Sequence, residues 1–193
     1  VCSSDQYQKR LATFASFRII ELPEEKIEEK NASDAVVKKA LDKEGKAILS
    51  NVRKGAAIVA MCIEGRQISS DELAQFLADR ANSGAGDVAF VIGSSHGLSD
   101  EVKKAAALKF SMGRITMPHQ LARLVLTEQI YRACTINAGM KTINKCKNRS
   151  VPQSRPVFGF TSGAKHGTVK ILCFPFEKHA RQWGKLPERY NND

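Results

Sequence analysis

His119, Glu128 and Arg132 fall in one stretch, PHQLARLVLTEQIYRA, whose apolar spacing reads as a helix. Glu128 and Arg132 are four residues apart, so they face each other across one helical turn. A carboxylate oriented by a guanidinium can take a proton, and so can an imidazole, while a cation can stabilise an anion. Each group also has a plainer reading. Exposed ion pairs contribute little, and a histidine near a helix start is often a cap or a satisfied polar group. What raises them is the chain before them. FVIGSSHGLSDEV, residues 90–102, passes from a β-rich apolar run through Gly93 and Gly97 into a helix start, and MGRITM, residues 112–117, delivers Pro118 and His119.

The glycine loop is not a dinucleotide fingerprint. That motif needs GxGxxG after the first strand and an acidic residue about 20 positions on. Here the junction comes late and is followed by Lys103, Lys104 and Lys109, and there is no GK[ST] sequence for a nucleotide triphosphate. On form alone the loop is a tight turn. Its position is more telling, because ligands in open α/β sheets sit beyond the carboxyl ends of the strands. Gly93 lies at one such end and Glu64-Gly65 follows the previous strand, so the two loops can build one pocket from backbone amides and carbonyls.

The elements that would position these groups alternate. DQYQKRLATFASF is helix-like, with Tyr7, Leu11 and Phe14 on one side, and RIIEL is a short strand stopped by Pro23. EEKIEEKNAS is a charged surface stretch before a helix DAVVKKALDKEGKAILSNV, capped by Asn31 or Ser33. AAIVAMCI is a nearly continuous apolar run, the mark of a buried parallel strand, and Glu64-Gly65 is expected to turn the chain. Ser69 or Ser70 caps the next helix, up to Gly84, and DVAFVIG is a second buried strand. SDEVKKAAALKFSMG reads as a third helix, RITM as a short strand, and residues 118–137 as the longest helix, closed by Gly139. The fold class is therefore α/β with a parallel sheet.

The chain has 193 residues with 26% charged and 42% hydrophobic, ordinary for a globular domain. No apolar run approaches a membrane span and no secretory signal is seen, so a cytoplasmic protein is expected. Cys2, Cys62, Cys134, Cys146 and Cys173 are scattered without a CxxC pair, which reads as free thiols rather than metal ligands. Residues 145–193 hold ten basic against three acidic residues, a net +7, leaving only +3 for the first 144. Attraction to RNA is thus carried mostly by the tail.

FVIGSSHGLSDEV followed by FSMGRITMPHQLARLVLTEQIYRA resembles the small SPOUT-type methyltransferases of the RlmH family, which methylate N3 of a pseudouridine in bacterial large-subunit (23S) ribosomal RNA. QYQKRL, IIELPEEK, EGKAIL and GRQISSDELAQFL fit in the same order, so the resemblance covers about residues 6–141. It implies a SPOUT fold with a C-terminal trefoil knot, which pattern arguments alone do not reach because knots are so rare. It also implies a homodimer, S-adenosyl-L-methionine as cofactor, and the assembled ribosome as partner, with no metal and no membrane. Carried over residue by residue, the donor site falls on Met61, Gly93, Met112, Gly113, Arg114, Ile115, Thr116 and Met117. His119, Glu128 and Arg132 are the catalytic candidates on the RNA side.

Three departures from the family pattern shape the expectations. The family's first strand is expected to be missing, since the chain starts inside the first helix. Ser94 stands where a second glycine is usual, and the family's terminal Tyr-His pair is replaced by GMK running into TINKCKNRS. The domain is expected to span residues 1–144, with 145–193 a basic, loosely structured tail. Two rival readings remain open at this level: a degenerate member that binds donor or ribosome without catalysis, and an RNA-binding protein driven by the tail, whose aromatics Phe158, Phe160, Phe174, Phe176 and Trp183 could stack on bases.

Overall fold

The structure is a computed structural model that describes residues 4–27, 33–84, 86–140 and 168–175. Along the chain these form α1 (Ser4–Leu11), β1 (Arg18–Pro23), α2 (Asp34–Asn51), β2 (Ala57–Arg66), α3 (Ser70–Asn82), β3 (Asp87–Ile92), α4 (Asp100–Ala105), β4 (Leu108–Phe110), α5 (His119–Asn137) and β5 (Thr168–Pro175). The strands make one sheet in the order β1-β5-β3-β2-β4. β2 runs parallel to β3, as the apolar runs predict, and also to β4, whereas β5 is antiparallel to both β1 and β3. The class is thus a mixed α/β sheet with parallel central strands.

Helices cover both faces, which is why the two central strands read as unbroken apolar runs instead of alternating. Val59, Phe90 and Ile92 face one core, built with Leu11 of α1, Leu73 and Leu77 of α3, and Leu126 and Ile130 of α5. Ile58, Ala60, Ala89 and Val91 face the other, with Ile48 of α2 and Val102 of α4. α3 begins with a full capping box: the Ser69 hydroxyl accepts from the Glu72 amide, and the Glu72 carboxylate accepts from the Ser69 amide at 2.7 Å. Among the described residues no helix is long and apolar enough to cross a membrane.

Four expectations give way. Glu64-Gly65 does not turn the chain; β2 runs on to Arg66 through an irregularity opposite β4. The strand passes so close to β4 that a Cβ at Gly65 would lie 2.7 Å from the Lys109 carbonyl carbon. The third helix stops at Ala105, and Leu108–Phe110 becomes a strand. The run of alanines favours helix locally, but the Ala107 amide bonds the Ile58 carbonyl at 2.8 Å and starts a ladder with β2. RITM is irregular rather than a strand. Finally, residues 168–175 of the expected tail are a strand in the sheet, with Ile171 and Leu172 fully buried. The remaining tail residues, including Phe158, Phe160, Phe176, Trp183 and Cys146, lie outside the described residues, as do Cys2 and Asn31.

The placement of β5 is testable at Leu172, which belongs to the same core as Phe90 and is 0% exposed. Leu172→Ala is expected to cost roughly 2–5 kcal/mol in urea unfolding of the full chain. An unchanged midpoint would show that residues 168–175 contribute nothing to the core.

Candidate functional site

β2 and β3 run parallel with Met61 opposite Ile92, where β3 ends while β2 runs on to Arg66. β4 ends on the far side of β2, with Phe110 opposite Met61. The outer end of β2, residues 62–66, and the loops of residues 93–98 and 111–118 therefore come together beyond the end of β3. Between them lies a cavity of about 410 Å³. That size and place suit a small organic ligand at the ends of parallel strands.

Each wall segment is held by its own local chemistry. In the glycine loop, Ser94 and Gly97 exchange backbone bonds of 3.1 and 3.0 Å, and Gly97 takes a φ of +92°. This brings the Gly97 carbonyl oxygen to within 2.2 Å of where a Cβ on Gly93 would stand, so any side chain there would break the loop. The loop is tied to the rest of the chain by Glu24. Its carboxylate accepts from the Ser95 amide at 2.9 Å and from the Ser95 hydroxyl. Glu24 is itself positioned by the next residue, whose amide donates at 2.9 Å to the buried Glu44 carboxylate of α2. On the opposite wall, the Ser111 hydroxyl accepts from the Gly113 amide and donates to the Gly113 carbonyl, both at 3.2 Å. Gly113 has a φ of +118°, a conformation that favours glycine.

The cavity is mostly apolar, with a few polar groups. Met61, Ile92, Phe110, Met112 and Met117 supply apolar surface, and His96 and His119 supply imidazoles. The His96 Nδ1 lies 3.2 Å from the Ser95 hydroxyl. Glu64 pairs with Lys103 at 2.5 Å, and this hydrogen bond holds the Glu64 carboxyl below its usual range. Burial pushes the Cys62 thiol up, with the Glu64 charge adding to the effect, so Cys62 is a neutral wall group and not a thiolate nucleophile. Cys134 is pushed up to about 12 by burial in the core, far from reactivity. Among the described residues no cluster of His, Cys, Asp or Glu is placed to hold a metal.

The structure gathers most of the expected donor residues around this one cavity. Met61, Gly93, Met112, Gly113, Ile115, Thr116 and Met117 all line it, whereas Arg114 sits on the same segment outside the wall. His119 lines it too. Glu128 and Arg132 do not. They form an ion pair farther along α5, where the Gln129 side-chain Nε2 donates to the Glu128 carboxylate at 2.6 Å and the Ser70 hydroxyl donates to the Gln129 side-chain oxygen at 2.8 Å. Nine residues separate His119 from Glu128, about 13 Å along a helix and half a turn around it. Sequence reasoning missed the Glu24 clamp and the Glu64–Lys103 pair. The first joins positions 71 residues apart, so no local spacing announces it.

The chain is similar in sequence to known proteins. A family model described as "Predicted SPOUT methyltransferase" matches residues 3–141. The chain is 49% identical over 134 residues to the ribosomal RNA large subunit methyltransferase H of Ligilactobacillus salivarius, covering 69% of this chain and 84% of that protein. It is 48% identical to the protein of the same name from Streptococcus uberis, with the same coverage. For that of Clostridioides difficile the identity is 44% over 135 residues, covering 70% of this chain and 84% of the relative.

If Glu24 holds the glycine loop, Glu24→Ala will free it. Amide hydrogen exchange at Ser95 and Gly97 should then speed up by roughly three- to tenfold, the worth of about 1 kcal/mol of hydrogen bonding, while α3 amides keep their rates. Unaltered exchange in the loop would mean that its own backbone bonds suffice.

Proposed function

Because the chain belongs to the SPOUT methyltransferase family, we propose that it transfers the methyl group of S-adenosyl-L-methionine to N3 of a pseudouridine in the large-subunit rRNA of the assembled ribosome. The observation that carries this reading is the single cavity that Met61, Gly93 and the 112–117 segment share at the ends of β2 and β3. Its volume and its apolar walls fit an adenosyl thioether. Met61, Ile92 and Phe110 would pack against the flat base, and the loop backbones around Gly93 and Gly113 would meet its polar edge.

When bound, the donor supplies a methyl group already activated on a positively charged sulfur. The protein's share is then alignment and handling of the proton on N3. His119, the first residue of α5 and part of the cavity wall, is assigned to accept that proton. The loop of residues 111–118 and α5 would form the family's C-terminal trefoil knot. The formal charge of +10 favours approach to rRNA. An enzyme that acts on assembled bacterial ribosomes would work in the cytoplasm.

The reading includes a homodimer. Ile63 and Ile115, both in the cavity wall, are 59% and 76% exposed, and Leu121 on α5 is 42% exposed. Apolar groups clustered at the mouth of a site favour cover by a second subunit. Glu128 and Arg132 are assigned a role across that interface and not in their own subunit's cavity.

The test is transfer of a radiolabelled methyl group to ribosomes that lack the modification, with free rRNA as control. Label is expected only in large-subunit rRNA of whole ribosomes. His119→Ala should lower turnover by about 10²–10⁴-fold, the usual contribution of a general base, with donor affinity little changed. Absence of label from the unaltered chain overturns the activity, and full turnover by the His119 variant removes that residue from the base role.

A further inference from the structure

Two opposite charges stand together in the cavity wall. Glu64, on the outer end of β2, and Lys103, on α4, approach to 2.5 Å, and both line the cavity. The Lys103 side chain is 24% exposed and that of Glu64 57%. Such a partly exposed pair is worth at most about 1 kcal/mol, so opening it costs little. Lys109 of β4 adds a second positive field at Glu64, and the neighbouring Cys62 thiol is uncharged.

A carboxylate beside an ammonium is the complement of an α-amino-acid zwitterion, which carries the same two charges in reverse. Inserting that end between Glu64 and Lys103 replaces one ion pair by two charge-assisted hydrogen bonds. We propose that Glu64 and Lys103 form the subsite for the amino-acid end of an adenosyl-thioether ligand, Glu64 accepting from its ammonium and Lys103 donating to its carboxylate. The proposal rests on the donor reading above and adds the specificity that reading lacks. The apolar walls recognise the adenosyl part, and this pair distinguishes ligands that carry the amino-acid end from those that do not. Donor and demethylated product both carry it, so both are held by the pair.

The experiment compares two probes by isothermal titration calorimetry on the full chain. S-adenosylhomocysteine carries the amino-acid end, and methylthioadenosine keeps the adenosyl thioether without it. Glu64→Gln and Lys103→Gln are each expected to weaken S-adenosylhomocysteine about fivefold, the equivalent of one exposed ionic contact, and to leave methylthioadenosine within about twofold. Lys103→Arg, which keeps the charge, should retain S-adenosylhomocysteine binding. Equal losses for both probes, or no loss for either, overturn the subsite. If the unaltered chain binds neither probe, the donor reading falls and the subsite with it; if it binds both and the variants do not discriminate, the subsite alone falls.

Discussion

The register of β2 against β3 is the constraint on which the other features rest. Met61 stands opposite Ile92 and Ala57 opposite Val88, so the two strands match residue for residue up to the end of β3, beyond which β2 runs on to Arg66. Side chains alternate across a sheet, and a slip by one residue would send Val59 to the opposite core. It would also shift the end of β3 along β2, and the glycine loop would no longer leave the sheet beside Cys62 and Glu64. Packing fixes that register. Val59, Ala60, Phe90 and Val91 are fully buried, and each has a fitted place on its own face. The geometry of the cavity is thus set by apolar residues of which most never touch it.

Beyond the strand ends the source of order changes. Two of the three wall segments, 93–98 and 111–118, are held by a few polar contacts and tight turns: Glu24 on Ser95, Ser94 against Gly97, Ser111 against Gly113. Loops held in this way sit at the low-stability end of a fold, while the strands beneath them sit at the top. The division suits a site that must admit a bulky ligand and then release its product. A rigid frame sets distances, and a few exchangeable hydrogen bonds set access. Glu44 links the two regimes, because it is buried in the α2 packing and yet carries the connection that presents Glu24.

What could be read from the sequence follows the same division. AAIVAMCI and DVAFVI announced buried strands through composition alone, and Ser69 with Glu72 announced a helix start through spacing. Gly93 is placed at a strand end by a general rule of open sheets, whereas the 112–117 segment joins the site only through the family resemblance. The misses are cases where a distant partner overrides a local preference. Leu108–Phe110 follows an alanine run and becomes a strand only because β2 offers an edge. Thr168–Pro175 lies far along the chain in a stretch with no sustained period, and its role is set by two neighbours, β1 and β3, that it meets antiparallel. The Glu24–Ser95 and Glu64–Lys103 contacts likewise join elements that sequence spacing does not relate.

α5 imposes a last condition on any mechanism. Its first residue, His119, belongs to the cavity wall, its middle packs Leu126 and Ile130 into the core, and the Asn137 amide at its end donates to the Ala74 carbonyl at 2.9 Å. A helix pinned at both ends and along its length cannot rotate to exchange one face for another. His119 and Glu128 lie on opposite faces and about 13 Å apart along the axis, more than two side chains can bridge to one atom. A reaction at a single nitrogen therefore uses one of them from a given chain, never both. If Glu128 and Arg132 act on the same base as His119, they must come from a second copy of α5. In the proposed homodimer, His119 from one chain's cavity and the acidic–basic pair from its neighbour could meet at one site, which a single α5 does not allow.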